Sequence, residues 1–462
     1  MSETAGNLEQ SGATPDRVPA WRLGIFASIA FPSVGMSLPL AIFLPPFYTK
    51  TLGLGLAEVG FIFMLVRVFD IVTDPVMGII GDRFSSRWGR RKHWLVIALP
   101  FMMLGVFMAY IPQGTPSIWY LGFWLVVLYV GTTMQTISHS AWAAELSPHY
   151  DERSRIAAFN AFAAYAGSLL ILGPLAILEF SGTPPAGHQA LAFFGIMAIV
   201  FAPICVFGAL KFVPERKTAP APHIGLVRGL KVVLGNPHMR RLLLADAMAS
   251  IPGAVMSGLF IFYQAELLGS AKFNSLGLIA FFVAHIIGVP MWMRLSRRVG
   301  KHRAFGIGSL CFCFTSALFF IPGEGDMVLF VFLLFLTGLA YSGLLFLIRA
   351  MGADVVDYDN VETGGQRTGL YFSLLALTAK AGGALAIGIT YPLLALVGFD
   401  AQGNNSEETE FAFRMIYVIV PVVSMILAYL SIRGFKLDVT EQEKLQAQIT
   451  SRDAAASDTP TA

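Results

Sequence analysis

Long stretches without a charged residue constrain this chain more than any other feature of its sequence. Leu95–Trp142 contains no Asp, Glu, Lys or Arg, and neither does Gly195–Leu210. A helix needs about 20 mostly apolar residues to cross the hydrocarbon core of a bilayer. Hydrophobic residues make up 55% of the 462 residues and charged residues 13%, whereas about 25% of a typical globular domain is charged. We therefore expect an all-α membrane protein that crosses the bilayer many times, and the pattern excludes a soluble globular protein.

Twelve apolar segments are predicted to cross the membrane. Their limits are 22–48, 57–81, 94–111, 118–145, 156–180, 189–213, 240–267, 273–294, 304–321, 327–350, 367–397 and 409–433. Cytoplasmic loops retain Arg and Lys, and here these residues concentrate in the loops that follow even-numbered spans. The opposite loops hold Lys50 and Lys272, with Arg414 near an edge. The alternation predicts cytoplasmic termini and residence in the plasma membrane, which is the inner membrane in a bacterium.

A short motif recurs halfway along the chain. Ser86–Arg91 follows the second span, and the related Ser296–Lys301 follows the eighth. Two six-span halves joined by a polar linker are the pattern of the major facilitator fold, in which substrate lies between the halves near the midplane. The predicted organisation is a cytoplasmic tail at 1–21, a six-helix bundle at 22–213, a linker at 214–239, a second bundle at 240–433 and a cytoplasmic tail at 434–462.

Ionisable residues at bilayer depth in the second and eleventh predicted spans form a candidate site. Arg67, Asp70 and Asp74 occupy the second span at a spacing that places them on one helical face, and Lys380 lies in the eleventh. A charge at bilayer depth costs at least about 2.5 kcal/mol, so such residues usually serve a function. Carboxylate oxygens suit a hard cation such as Na⁺, and a close pair of carboxylates also suits a shared proton. The alternative is a buried latch in which Arg67 and Lys380 neutralise the two acids.

Neutral side chains extend this candidate site. Thr73 and Gln135 are the predicted additional oxygen ligands of the cation. Contacts to the solute are predicted for five residues in or near the same cavity. They are Lys380, Trp142, Ser138, Asn160 and Arg67. Trp142 has two interpretations, an interfacial anchor or a stacking platform for a sugar ring, and the sequence does not choose between them.

Charged residues at the cytoplasmic ends of the spans are predicted to form a gate. The candidates are Asp82, Arg87, Arg90, Arg91, Glu145, Arg297, Asp354 and Asp357. The basic residues would pair with the carboxylates when the cytoplasmic side closes. The alternative is that the basic residues only determine topology.

These motifs resemble those of the glycoside–pentoside–hexuronide:cation symporters, the family of the melibiose permease. The resemblance rests on the runs Arg67–Gly78, Ser86–Trp94, Ala353–Tyr358, Gly369–Ser373 and Ala379–Gly382, together with Asp82. It implies that Asp70 and Asp74 coordinate the coupling cation, Na⁺ or H⁺, and that Lys380 contacts both the cation and the sugar. It also implies that Thr73 replaces an asparagine ligand and that Trp142 lines the sugar pocket.

The chain departs from the family pattern at the sugar. The melibiose-type permease holds sugar hydroxyls with two acids, and the matching positions here are Val34 and Ser138. Asn160 falls near an arginine of that sugar site. Without those two acids, the cavity is predicted to accept an acidic or less hydroxylated solute.

The resulting expectation is a secondary active transporter that couples a sugar or glycoside-like solute to a monovalent cation by alternating access. The alternative is a carrier of an amphipathic anion such as a lysophospholipid, and a membrane receptor is disfavoured by the paired buried acids. The chain lacks the G-x-x-x-x-G-K-[ST] phosphate loop, so we expect neither an enzyme nor an ATP-driven pump, and no cofactor beyond the coupling ion. The expected partners are the solute, the cation and membrane lipid, with a monomer as the functional unit. Scattered basic loops argue against nucleic-acid binding.

Overall fold

The computed structural model describes most of the chain between residues 18 and 448. The described residues are 18–84, 86–146, 150–183, 187–215, 233–269, 274–363, 368–401, 403, 405–435, 437, 441, 444 and 448. Some helical side chains, those of Asp82 and Arg153 among them, lie outside the description, so the gating prediction for Asp82 does as well. Much of the predicted linker and most of both predicted tails also lie outside it.

The described regular structure is helical. The helices are α1 Ala20–Ala27, α2 Ala30–Ile42, α3 Leu44–Pro46, α4 Leu56–Arg83, α5 Lys92–Tyr110, α6 Ile118–Glu145, α7 Tyr150–Phe180, α8 Gly187–Phe212, α9 Pro237–Phe262, α10 Asn274–Val299, α11 Lys301–Ala317, α12 Met327–Ser342, α13 Leu344–Thr363, α14 Thr368–Leu396 and α15 Glu407–Ile432. Two π-helical turns, Phe47–Thr51 and Tyr263–Leu267, extend the first and seventh predicted spans, and a 3₁₀ turn at Leu318–Phe320 follows α11. The all-α prediction is confirmed.

Eleven helical segments in the described part are long and apolar enough to cross a membrane. α4 is not among them although it has 28 residues, because Arg67, Asp70 and Asp74 lie in its middle. The eleven segments confirm a membrane protein of many spans, and the count of twelve stays a prediction.

Two predicted spans differ from the helices observed. The first is broken into α1, α2, α3 and a π-helical turn, in a segment that contains Pro32, Pro39, Pro45 and Pro46, each lacking the N–H that a helix interior needs. The tenth continues through α13 to Thr363 rather than ending at residue 350. Asp354 and Asp357 therefore lie on a helix and not in a loop.

α14 packs between α4 of the first half and α9 of the second. Glycines of α14 allow its backbone to lie close to α9 on one side and to α4 on the other. A Cβ added at Gly382 would lie 2.2 Å from the carbonyl oxygen of Ala247 on α9, and one at Gly388 would lie 2.3 Å from the sulfur of Met64 on α4. Small residues allow this close approach between membrane helices, and it places Lys380 of α14 opposite the acids of α4.

Polar contacts join the two halves of the bundle at one of its ends. We call the end with loop 84–91 and residues 18 and 435 the basic end, and the end with turns 52–55 and 268–269 the far end. At the far end, Lys50 forms an ion pair with Glu266 across the two halves. The Ser275 N–H there donates to both carboxylate oxygens of Glu179, at 3.1 and 3.0 Å. The structure is therefore joined across the halves by polar contacts at the far end.

Candidate functional site

The centre of the candidate site is a lysine placed between two carboxylates. Lys380 Nζ lies 3.0 Å from Asp70 Oδ2 and 2.5 Å from Asp74 Oδ2. The Asp70 residue is 3% exposed. The structure thus brings two of the predicted cation ligands together with Lys380, a predicted solute contact, across the interface between the halves.

Helix geometry explains why these residues meet. Asp70 and Asp74 are one turn apart on α4 and share a face. Lys380 is 12 residues from the start of α14, and Asp70 is 13 residues from the end of α4. At a rise of about 1.5 Å per residue, both lie about 20 Å from the basic end, near the middle of a bilayer.

The neutral ligands differ from those predicted. The Thr133 hydroxyl on α6 donates to Asp70 Oδ1 at 2.8 Å. Thr73 instead donates to the backbone oxygen of Asp70 at 3.1 Å, and Gln135 accepts a hydrogen bond from Ser33 at 3.3 Å. Thr133 was not predicted from the sequence, where its one available signal was a hydroxyl within the span that also holds Gln135.

Arg67 completes the charge balance of this site. Its guanidinium lies 3.9 Å from Asp70 Oδ2 and stacks over the ring of Tyr129, with 5.1 Å from Cζ to the ring centroid. The four ionisable groups sum to zero when all are charged. Asp74 Oδ1 is buried and has no hydrogen-bond partner among the described residues, so one carboxylate oxygen remains available to a cation.

The predicted solute contacts divide into two groups. Asn160 Oδ1 is buried without a hydrogen-bond partner in the part of the chain described, and Ser138 is also buried. Gln135, predicted as a cation ligand, likewise has a buried Nε2 without a partner among the described residues. These polar groups can bind hydroxyls of a solute. Trp142 is also buried, at 0% exposed, and differs in that its one polar atom, Nε1, already has a hydrogen-bond partner.

Packing accounts for the burial of Trp142. Its ring meets Phe26 edge-on at 5.1 Å and lies 5.2 Å from Lys92 Nζ. Its Nε1 donates to the Pro214 oxygen at 3.3 Å. In this conformation Trp142 packs near the basic end with no open face of the indole, and its role as a platform for a sugar ring stays a prediction.

A second buried charge cluster was missed by the sequence analysis. Asp246 on α9 is 0% exposed, accepts a hydrogen bond from Thr378 Oγ1 on α14 at 2.8 Å, and lies 3.5 Å from Arg349 Nη2 on α13. The predicted spans assigned Arg349 to the edge of a loop. Because α13 continues to Thr363, Arg349 lies inside the bundle, about 20 Å from the basic end of that helix.

The predicted gating residues pair within each half. Glu145 contacts Arg90 at 2.5 Å and Arg91 at 2.8 Å. Asp354 pairs with Lys301 at 2.5 Å rather than with Arg297, which is exposed. In this conformation Glu145 holds loop residues Arg90 and Arg91 onto the first bundle, and Asp354 joins α13 to the start of α11 in the second.

Three further observations concern the same end of the bundle. Arg87 is exposed beside Trp88, and Asp357 is half-buried on α13. Glu215, not predicted, accepts backbone N–H groups of Arg90 and Arg91 at 2.6 and 2.8 Å. A carboxylate is favourable there because the start of α5 carries unpaired N–H groups and a positive dipole.

Comparisons with known proteins agree with this architecture. Residues 25–439 match the sequence profile of a family described as MFS/sugar transport protein. The chain is 27% identical over 420 residues to the putative glycoside/cation symporter YagG of Escherichia coli, covering 88% of this chain and 90% of that one. It is 20% identical over 490 residues to the human sodium-dependent lysophosphatidylcholine symporter 1, covering 96% and 88%.

A solved structure supports the fold. The nucleoside transporter NupG superposes with a TM-score of 0.65 at 13% identity, covering 90% of this chain and 99% of that one. The major facilitator architecture predicted from the repeat is therefore confirmed.

Proposed function

The chain belongs to the MFS/sugar transport protein family, in its glycoside/cation symporter branch, and from this premise we propose that it couples a sugar or glycoside-like solute, acidic solutes included, to a monovalent cation. It is a multi-pass membrane transporter of small molecules, not an enzyme. The two halves rock between states open to either side of the membrane, with the solute bound between them.

The observation that carries the proposal is the position of Lys380 between Asp70 and Asp74. The ammonium group occupies the place where a coupling cation would meet both carboxylates. A cation that binds there displaces Lys380 and takes over its role as counter-ion. The site then gains one positive charge, which favours solute binding, and by linkage the solute favours cation binding equally.

The coupling ion is Na⁺ or H⁺ in this proposal. The residues present fit either ion, because two carboxylates and the Thr133 hydroxyl supply oxygen ligands, while a close carboxylate pair also retains a proton readily. Asp70 and Asp74 would hold the ion, with Thr133 in place of the predicted Thr73 as the hydroxyl nearest to the carboxylates.

A lysophospholipid is the second candidate solute. A cavity of about 120 Å³ is lined mainly by apolar and aromatic side chains of the second half, among them Phe260 and Phe281, together with Ile42 of the first half. An apolar cavity of this size accepts a group of about the size of benzene and so only part of an acyl chain. The human relative named as a lysophosphatidylcholine symporter is the more distant of the two relatives reported, so the glycoside remains first.

We also propose an assembly state, a location and an orientation for this protein. The protein acts as a monomer in contact with lipid, in the inner membrane of a bacterium, and both termini face the cytoplasm. The basic end is then the cytoplasmic end. A reporter fused after Ala462 that is active only outside the cytoplasm would refute this orientation.

Uptake into membrane vesicles under an imposed Na⁺ or H⁺ gradient tests the function. Neutral glycosides, acidic glycosides and lysolipids form the panel, and at least one is expected to accumulate with one gradient. Asp70→Asn and Asp74→Asn should abolish accumulation with protein still in the membrane, whereas Glu408→Gln, an exposed acid at the start of α15, should not. Concentrative uptake at the wild-type level in both Asn variants would refute the cation site.

A further inference from the structure

We propose that Arg349 binds an anionic group of the transported solute, an inference that rests on the proposed symport and adds a specificity-determining residue to it. Arg349 lies on α13, beside Asp246 of α9 and Leu375 of α14. It is separate from the cation site, where Lys380 is the positive group.

The exposure of Arg349 indicates which surface it faces. Its side chain is 35% exposed, whereas that of its partner Asp246 is 0% exposed. Arg349 lies within a membrane-crossing segment, Met327–Asp359, 10 residues before its end. An arginine that faced hydrocarbon at this depth would carry a large free-energy cost, and charged residues in membrane segments face the bundle interior or a water-filled cavity. The partial exposure of Arg349 favours the water-filled cavity over the packed interior, and in this proposal that cavity is the path of the solute.

The guanidinium of Arg349 retains unused donors. It carries five N–H groups. Its described contacts are a hydrogen bond of 3.4 Å to the Leu375 oxygen and the ion pair of 3.5 Å to Asp246 Oδ1. Charge-assisted hydrogen bonds between guanidinium and carboxylate are usually about 2.7–2.9 Å long, so both contacts are long.

Asp246 holds its position by another bond. Its Oδ2 accepts from Thr378 at 2.8 Å, while its Oδ1 is buried without a hydrogen-bond partner in the described chain. Arg349 can therefore turn toward a ligand while Thr378 keeps Asp246 in place. Lys380 differs from Arg349, because it contacts two carboxylates at 2.5 and 3.0 Å.

The charge balance favours an anion once the coupling cation is bound. The mid-depth charged residues are Arg67, Asp70, Asp74, Asp246, Arg349 and Lys380. Three are positive and three negative, so the cavity is neutral before a monovalent cation binds and carries one positive charge afterwards. A solute with one negative charge restores neutrality. The planar fork of arginine suits carboxylate, sulfonate and phosphate groups, which it can bind through two parallel hydrogen bonds.

Matched probes test the proposal by ligand-induced thermal stabilisation of the purified protein with saturating coupling cation. One pair is 4-nitrophenyl β-D-glucuronide and 4-nitrophenyl β-D-glucoside, which differ in a carboxylate. The other pair is a lysophosphatidic acid and the corresponding monoacylglycerol, which differ in a phosphate. In at least one pair, the wild type should bind the acidic member on the order of 10-fold more tightly. The pair in which this occurs separates a sugar acid from a lipid headgroup.

The variants are chosen so that folding does not limit the test. Arg349→Gln alone leaves Asp246 buried and uncompensated, so Asp246→Asn combined with Arg349→Gln provides a neutral pair that keeps an acceptor for Thr378. This double variant should lose the preference for the acidic member, with the affinity for the neutral member changed less than about 2-fold. Arg349→Lys should retain part of the preference, because it keeps the charge and loses the fork.

Three results would overturn the proposal. They are a wild type without preference for either acidic probe, a preference that persists in the double variant, and an equal loss of acidic and neutral members. Failure of the symport itself gives a different result, since gradient-driven uptake would then be absent or would survive Asp74→Asn, whatever residue stands at position 349.

Discussion

Thr378 and Lys380, two residues apart on α14, contact opposite halves of the bundle. The Thr378 hydroxyl donates to Asp246 on α9 at 2.8 Å, and Lys380 Nζ contacts Asp74 on α4 at 2.5 Å. One helix therefore carries a polar contact to its own half and an ionic contact to the other half. Displacement of Lys380 by a cation would remove the ionic contact and leave the first one intact.

Thr133 and Thr73 form a matched pair for testing the cation site. Thr133→Val removes the hydrogen bond to Asp70 Oδ1, whereas Thr73→Val removes a bond to the backbone of its own helix. A hydrogen bond to a charged group contributes about 1.5–3 kcal/mol, so Thr133→Val should raise the cation concentration for half-maximal thermal stabilisation by about 10-fold or more. Thr73→Val should change it little. A larger shift in Thr73→Val than in Thr133→Val would show that Thr73, and not Thr133, contributes to the cation site.

Lys380→Ala should separate cation binding from transport. Without the ammonium, a cation no longer has to displace an existing counter-ion, and the two carboxylates repel each other more strongly. The Na⁺ concentration for half-maximal stabilisation, or the proton concentration if H⁺ is the coupling ion, should fall by about 10-fold. Concentrative uptake should be lost.

The control for Lys380→Ala is Lys444→Ala, which removes an exposed lysine of the C-terminal segment. It should change neither the half-maximal concentration nor the uptake. Weaker cation binding in Lys380→Ala would contradict the interpretation that Lys380 competes with the cation.

Glu179→Ala should favour the conformation that is open at the far end. Glu179 accepts the Ser275 N–H with both oxygens across the halves, and losing a charge-assisted contact of about 1.5 kcal/mol shifts a two-state equilibrium about 10-fold. The measurement is labelling of Ile42→Cys by a membrane-impermeant thiol reagent added to the far side. Cys205, Cys311 and Cys313 are replaced by Ser for this experiment.

The matched control for the labelling experiment is Glu324→Ala, an exposed acid at the same end. Its labelling rate should equal that of the parent. A rate in Glu179→Ala that also equals the parent's would show that this contact does not hold the far end together.

Substitutions at Gly382 and Gly383 test how closely α14 packs against α9. A Cβ at Gly382 would lie 2.2 Å from the Ala247 oxygen, while one at Gly383 meets only Ala254 at 4.0 Å. Overpacking typically costs about 1–3 kcal/mol, so Gly382→Ala should lower the Tm of the purified protein clearly more than Gly383→Ala does. Equal Tm values for the two variants would mean that α14 and α9 can separate at no cost.

The functional importance of the two acids of α4 could be predicted from sequence, because charged side chains are rare in an apolar membrane span. Asp70 and Asp74 lie deep in a predicted span, where an unneeded charge is costly, and the spacing alone places them on one face. The repeat of Ser86–Arg91 near residue 300 likewise predicted the two halves.

Asp246 and Arg349 could not be predicted in the same way. Asp246 lies a few residues after Arg240 and Arg241, at what the sequence presents as a membrane edge. Arg349 lies close before Asp354, so the charges after it suggested that the span had ended. Contacts between helices far apart in sequence, as between Thr378 and Asp246, depend on packing that hydropathy does not encode. The same holds for Trp142, whose burial follows from its neighbours.

Because the two charge clusters lie on different helices, the solute specificity and the cation coupling of such a carrier can change independently. The oxygen groups of the cation site belong to α4 and α6, whereas Asp246 and Arg349 belong to α9 and α13. Only α14, among the described helices that hold these side chains, touches both clusters. With the roles proposed for the two clusters, substitutions in α9 and α13 can change which solute is carried while the cation that drives transport stays the same.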